Sequence, residues 1–432
     1  MKRLTSLSLI ILTFCPAEAQ TWTVRQCMQY AVAHNHEVKR AELELDNYKA
    51  GKTAAIGGFL PAVEAGIGAQ YNFGRAIDPE TNGYTDVSTF YNGYSLQTSL
   101  PVFDGFGRLH ALRAAKASVL MGRQQLRQQQ DQTALSVLQA FVNVAYLEGM
   151  VKMAGEKIEE TSLLLRQTQV LEEVGRRSMA DVAQVEAQKA EADYDLSRQQ
   201  NLLAAALLEL KMNMAFPMAD TLTVSLQNSE RRLPAQDGDT QPLPMMLQAH
   251  YQVQASRHEW RQARAALLPA LSLSAGLSTT YFKTLHSPSA TSFSSQFNNN
   301  MGEYLGATLS IPLFNRLRTL TSIRRARNNY RMAQEAYEQK QQELEKLRRE
   351  AWQDWQAYLK QTEQMQRKME ADSMAYQLTR RQYEEGLATA IDLHATSSAL
   401  LQSRATLLQC RLMAMVKQVL TRYYQGETIW TE

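Results

Sequence analysis

Proline is scarce in this chain of 432 residues: there are 11, and the stretches Val102 to Phe216 and Leu313 to Glu432 contain none. Ordinary helices average about 11 to 12 residues and need loops between them, so these unpunctuated stretches predict very long helices. Cysteine is scarcer still, with three in the whole chain, which excludes a disulfide scaffold. Neither sign of charge is in excess: 46 basic residues face 43 acidic ones, which gives no electrostatic reason to expect nucleic acid as a partner. Past the N-terminus no run of 18 apolar residues occurs, so a bundle of membrane helices is excluded. Any part that crosses a membrane must do so as strands.

What is present begins with a leader. Lys2 and Arg3 precede the apolar run Leu4 to Phe14, and Ala17-Glu18-Ala19 offers small residues at a cleavage point before Gln20. Residues 1–19 therefore read as a secretory signal, and the mature chain is expected to be exported. Cys15 lies inside this segment, but bulky Phe14 before it and Pro16 after it argue against lipidation.

The mature chain is internally duplicated at an offset of about 210 residues. Phe59-Leu60-Pro61-Ala62-Val63 recurs as Leu267-Leu268-Pro269-Ala270-Leu271, and Leu100-Pro101-Val102-Phe103-Asp104 recurs as Ile311-Pro312-Leu313-Phe314-Asn315. Glu172-Glu173-Val174-Gly175 with Asp181-Val182 recurs as Glu384-Glu385-Gly386 with Asp392-Leu393. The division this implies is a first repeat over 20–216, a proline-rich link over 217–244 with a short strand near Thr223, and a second repeat over 245–432.

Each repeat holds a pair of segments with the two-residue alternation of a strand. Val63, Ala65, Ile67, Ala69, Tyr71 and Phe73 share one side of the first, and Tyr94, Leu96, Thr98 and Leu100 one side of its partner. In the second repeat Leu271, Leu273, Ala275, Leu277 and Tyr281 pair with Leu305, Ala307, Leu309 and Ile311, although Tyr304 interrupts the polar side. Each run is about 9 to 11 residues, enough to cross a bilayer at a tilt, and tyrosines near the ends suit an aromatic girdle. A soluble two-sheet sandwich alternates in the same way. The intervening segments Asp78 to Phe90 and Lys283 to Asn300 read as exposed loops. Since the smallest membrane barrels have about 8 strands, four strands must be pooled with those of other copies.

The remaining segments carry the helical period. Val182, Lys189, Leu196, Leu203 and Leu210 recur every seven residues with Val185, Ala192 and Ala206 three positions on; Leu393, Leu400, Leu407 and Ala414 repeat the register. That is a coiled-coil seam. Tyr330, Ala333, Tyr337, Leu344, Leu347, Trp352, Trp355 and Leu359 form a similar stripe on the preceding segment. Gly175 and Gly386, near the middle of the proline-free stretches, mark turns at which one long helix reverses into the next.

Duplicated strand pairs followed by hairpins of very long helices behind a signal peptide resemble the TolC-like outer-membrane efflux proteins. The resemblance extends over essentially the whole mature chain, and its most specific motifs are the Leu-Pro lead into a strand at Leu60 and Leu268, the Pro-hydrophobic-Phe run into a helix at Pro101 and Pro312, and Tyr383-Glu384-Glu385-Gly386 through Asp392-Leu393. It implies a mainly α protein with a small transmembrane β part: three protomers pool four strands each into a twelve-stranded barrel, which continues into a long periplasmic α-helical coiled-coil barrel. It further implies an outer-membrane location and a passive conduit of a tripartite efflux or type I secretion system, with a periplasmic adaptor, an inner-membrane transporter and outer-membrane lipid as partners. No cofactor and no enzyme activity are implied. Drug, metal-ion, lipid and protein cargoes share such channels, with selection residing in the transporter. The rival readings are a periplasmic adaptor, which would show one hairpin inserted between compact β-domains, and a coiled-coil scaffold of an export complex.

By the same resemblance Asp181, Asp392 and Tyr383 fall where the family closes its periplasmic aperture, and Gly175, Arg176, Arg177, Ser178, Gly386 and Leu387 form the helical tips that meet the adaptor. The family's closing arginine falls at Ala388 and a second aspartate at Ala395, leaving Arg176 or Arg177 as candidates to replace the arginine from the neighbouring tip. Asp181 and Asp392 have two readings: a ring of carboxylates gating cations, or caps on the returning helices. His34 and His36, two apart on a predicted helix, face different directions and make no metal site. Gly66-Ile67-Gly68 lies inside a strand and lacks a third glycine, so it is no dinucleotide loop. Arg316, Arg318, Arg324, Arg325, Arg327 and Arg331, echoed by Arg108, Arg113, Lys116 and Arg123, read as a solvated helix face or as a substrate-steering surface. Cys27 and Cys410 fall about 50 and 75 Å down their helices, too far apart for a disulfide.

Overall fold

The computed structural model describes residues 21–77, 82–86, 88–225, 242–285 and 292–430. The leader with Cys15, much of the 217–244 link and parts of the two expected loops lie outside these. The chain forms two compact units, one holding Leu43–Gln125 and Pro244–Gln341, the other holding the described residues up to Glu42, Leu126–Leu243 and Gln342–Glu432.

In chain order the elements are β1 (Thr21–Trp22), α1 (Val24–His34), α2 (His36–Gly57), β2 (Ala62–Asn72), β3 (Arg75–Ile77), β4 (Tyr84–Asp86), β5 (Thr89–Phe103), α3 (Gly107–Glu173) and α4 (Met179–Met214). Then follow β6 (Thr223–Val224), α5 (Pro244–Ala265), β7 (Ala270–Thr284), α6 (Phe293–Asn299), β8 (Gly302–Ser310), α7 (Arg318–Glu384) and α8 (Ala390–Tyr424). The proline-free stretches become two helical hairpins: α3 and α7 have 67 residues each, and α4 and α8 have 36 and 35.

The strand-bearing unit centres on one antiparallel sheet in the order β2-β5-β7-β8. Register puts Ala65 opposite Leu96, Leu96 opposite Leu277, and Ala275 opposite Leu305, so the apolar sides of all four strands share one face. That face is bare: Ile67 is 77% and Leu305 84% exposed. β2 and β8 each have one edge with no partner strand among the described residues. Tyr304, out of place in the alternation, points to the polar face opposite Gly276, where its ring occupies the space a side chain at 276 would fill. Covering a strand glycine with a cross-strand aromatic restores packing that the glycine lacks.

The middle strands exceed the expected length, at 15 residues each, and the expected loops carry structure. β3 and β4 form a hairpin, and α6 packs where β7 outruns β8. There the Gln296 side chain accepts from the Phe282 amide and donates to its carbonyl, both at 2.9 Å, while Asn300 Nδ2 donates to the Thr280 carbonyl at 2.8 Å. Side-chain amides thus take the place of the missing strand on an otherwise open edge, which no alternation in sequence reports.

Both strand-to-helix passages turn through two successive left-handed residues: Gly105 and Phe106 at φ +66° each, and Arg316 and Leu317 at +55° and +64°. In each a backbone bond of 3.2 Å closes the four-residue turn, Gly107 N–H to Asp104 O and Arg318 N–H to Asn315 O. Gly105 is forced, because a Cβ there would stand 2.7 Å from the Ala265 carbonyl. Below the strands His110 of α3 stacks on His258 of α5 at 5.7 Å, and Trp260 of α5 on Tyr330 of α7 at 5.8 Å.

In the other unit, the core is built from Val137, Leu138, Phe141 and Val144 of α3, Cys27 and Ala31 of α1, Leu210 and Met214 of α4, and Leu412 and Val416 of α8. α3 has a stretch apolar enough in composition to cross a membrane; half of it is buried, and residues 134–147 supply this core. Cys27 and Cys410 are both free and buried, and burial pushes the Cys27 thiol up to about 12. β1 pairs in parallel with β6, the short strand expected in the link. Along α4 the buried residues are Val185, Gln188, Ala192, Gln199, Ala206, Leu210 and Met214, so the expected positions Val185, Ala192 and Ala206 form the seam and, of the leucine row, Leu210 alone is fully buried. Asn35 separates α1 from α2, so His34 and His36 sit on two helices rather than on one continuous helix.

Candidate functional site

The tips of the two hairpins lie in the helical unit and are built alike. After α3, the Gly175 amide bonds Glu172 O and the Arg176 amide bonds Leu171 O, both at 2.8 Å; after α7, Gly386 bonds Tyr383 O at 3.1 Å and Leu387 bonds Gln382 O at 2.7 Å. This is the paired closure of a helix C-terminus that requires a left-handed residue, and the two glycines stand at φ +72° and +81°. Ser178 and Thr389 then cap the returning helices.

Asp181 and Asp392 are the third residues of α4 and α8 and complete reciprocal capping boxes. Asp181 Oδ2 accepts from the Ser178 amide at 3.0 Å and hydroxyl at 2.8 Å, while the Asp181 amide donates to Ser178 Oγ at 3.2 Å. Asp392 Oδ2 accepts likewise from the Thr389 amide at 3.0 Å and hydroxyl at 2.6 Å. The capping reading is thus realised with one correction: the hydroxyl residue occupies the cap position and the aspartate answers from within the helix. Hydrogen bonds from the Ser178 amide and hydroxyl hold Asp181 below the ordinary carboxylate value, and those from the Thr389 hydroxyl and amide do the same for Asp392. Ser178-x-x-Asp181 and Thr389-x-x-Asp392 carry this signal in the sequence, at the hydroxyl residue rather than at the aspartate alone.

Tyr383 does not meet either aspartate. It is 2% exposed, its hydroxyl is 2.9 Å from Thr168 Oγ1 of α3, and it packs with Leu164, Val185, Ala390 and Leu393. Arg177 reaches across from the first tip: its guanidinium lies 4.3 Å from the Tyr383 ring centroid and donates to the Tyr383 carbonyl at 2.8 Å and the Ala388 carbonyl at 3.4 Å. Of the two arginines considered, Arg177 makes the cross-tip contact; Arg176 is exposed. Further along, Glu160 accepts from the Tyr376 hydroxyl and lies 3.5 Å from Lys157, which donates to Ser397. Burial, reinforced by Glu160, pushes the Tyr376 phenol up. No group of three metal-ligating side chains occurs among the described residues.

Comparison with known proteins adds the decisive observation. A family described as outer membrane efflux protein matches residues 27–214 and 241–419. The chain belongs to the outer membrane efflux protein family. Membership assigns it to the outer membrane and sets aside the adaptor and scaffold readings. Outer membrane efflux protein BepC of Brucella suis is 23% identical over 301 residues, a match covering 66% of this chain and 60% of that relative's length. The solved CusC structure, which concerns folding and transmembrane channel formation, superposes with a TM-score of 0.79 at 18% identity, covering 94% of this chain and 92% of that one. VceC of Vibrio cholerae gives 0.79 at 14% identity, with 94% and 96% covered. These likenesses establish a channel-type, mainly helical fold; family and fold neighbours are channels rather than enzymes.

Proposed function

We propose that this family member is the outer-membrane channel of a tripartite efflux or type I secretion system, a passive homotrimeric conduit from periplasm to exterior. The observation that carries it is the four-stranded sheet with one bare apolar face and two edges that have no partner strand among the described residues. Edges of this kind cannot stand in lipid, so β8 of one copy pairs with β2 of the next until three copies close a twelve-stranded barrel. The two helical hairpins, products of an internal duplication, continue the barrel into the periplasm. In this reading the tips form the aperture, with Asp181, Asp392 and Tyr383 around it and Arg177 in place of the absent arginine. The apolar residues exposed at both tips, Val174, Met179, Leu387 and Ile391, offer the adaptor its contact. An inner-membrane transporter supplies the energy and selects the cargo.

Fractionation with a size assay in detergent tests the proposal. A trimer in the outer-membrane fraction is expected; a monomer in the soluble periplasmic fraction overturns it.

A further inference from the structure

Two bands of exposed side chains follow the strand ends in the strand-bearing unit. The first is apolar: Leu60, Phe106, Leu268, Ile311, Leu313 and Phe314 sit at the strand-to-helix passages, with Leu313 93% and Phe314 78% exposed. The second is basic. α3 presents Arg113, Lys116 and Arg123, all exposed, in a segment (105–130) with no Asp or Glu. α7 presents Arg324, Arg325, Arg327 and Arg331, again exposed, within 311–334, which also lacks any acid. α5 adds exposed Arg257 and Arg264 and half-buried Arg261 against the single acid Glu259.

These positions lie at matched depth. Arg113 and Arg324 are each six residues into their helices, about 9 Å along the axis, and Arg261 is four residues from the end of α5, about 6 Å. Arg324, Arg327 and Arg331 share one flank of α7 by their spacing of three and four. Arg108, nearest the strands, is satisfied by Asp104 at 3.2 Å, but among the described residues none of the exposed arginines named here has an ion pair. Solvation of one helix face explains scattered charge. It does not explain three helices that concentrate one sign at one level in a chain whose total is nearly neutral, since the repulsion costs stability unless an anion offsets it.

We propose that this collar binds the phosphate groups of anionic phospholipids in the periplasmic leaflet of the outer membrane. The inference rests on the channel reading, which places the bare sheet face in lipid. The apolar band then lies at the acyl boundary and the arginines one step beyond it, at headgroup level. Guanidinium groups pair with phosphate oxygens in bidentate fashion, and basic residues next to a membrane segment are attracted to anionic headgroups.

The test is native mass spectrometry of the detergent-purified protein titrated with phosphatidylglycerol or with phosphatidylcholine of the same chains. Retention should favour phosphatidylglycerol, weaken as salt rises, and fall in R324Q/R327Q/R331Q by about fivefold per arginine removed, the equivalent of about 1 kcal/mol each. The matching Arg→Lys triple variant should keep most of the preference. Equal retention of the two lipids by the wild-type protein overturns the collar. So does unchanged retention in the Gln variant combined with altered ion selectivity in planar bilayers, which would turn the arginines toward the conduit and an anionic cargo. If the Gln variant does not fold, the salt titration of the wild-type protein decides alone. Oligomeric state and membrane fraction are read before lipid is added, so a trimer without lipid preference sinks the collar only, while a soluble monomer sinks the channel and the collar with it.

Discussion

At the scale of single residues, the tips show how far short motifs determine geometry. Gly386 has no atom within 4 Å of the position its Cβ would take, so substitution meets no clash and its cost is that of the backbone alone. Gly386→Ala is expected to lower stability by about 1 kcal/mol, the penalty of a left-handed non-glycine residue, read as faster hydrogen exchange at the α7–α8 tip with no change elsewhere. The capping carboxylates make a pH prediction. Both are held below their ordinary value of 3.8, so their contribution is complete above that value and is lost as pH falls through the lowered ones. Amide protection, taken relative to the intrinsic exchange rate at each pH, should be constant in the first turns of α4 and α8 between pH 7 and 5 and fall below about 4. Loss of protection already at pH 6 would mean that other groups hold the tips. The turn glycines and the capping role of the two aspartates were legible in the sequence because each is local, whereas the cap position itself belongs to Ser178 and Thr389. The Arg177 contact was not, since it joins residues 206 positions apart and only packing decides which of two neighbouring arginines turns inward.

Among the elements, long helices and alternating strands were readable because their periods persist over many residues. The strand ends were not: β5 and β7 run on to 15 residues through pairing with each other, a property of the partner rather than of the segment. α6 escaped because seven residues are too few for a helical period, and its role on the edge of β7 depends on two side-chain amides. The contact of α3 with α5 through His110 and His258 also belongs at this scale. Burial, then the positive charges of Arg113 and Arg261, lower His110; burial, then His110, Arg261, Arg113 and Arg257, lower His258. Imidazoles unfold to an ordinary value of 6.5, so the stability they contribute as neutral rings is complete above it and is lost as pH falls through the lowered values. Protection of α5 amides relative to their intrinsic exchange rate should therefore fall on acidification below about 6.5, and the His110→Gln variant should show a smaller response. An equal response in the variant would show that the stacked pair does not set it.

For the whole molecule, the duplicated motifs and the count of four strands imply pooling between copies from the sequence alone. The channel reading then asks whether the two tip carboxylates act through charge or only through their caps. Asp181→Asn with Asp392→Asn keeps an acceptor for Ser178 and Thr389 while removing the charge. Lower cation preference of the purified trimer in planar bilayers, at unchanged thermal stability, is expected if the charges act at a constriction. Unchanged selectivity would leave them a capping role alone.

The bond from Arg177 to the carbonyls on either side of Gly386 runs one way, since Ala388 offers no cation in return. Together with the shared packing of Leu164, Val185, Tyr383 and Leu393, it yokes the two hairpins of a protomer at their ends. In the proposed trimer the moving parts would then number three rather than six, and the seams that part on opening would be those between chains.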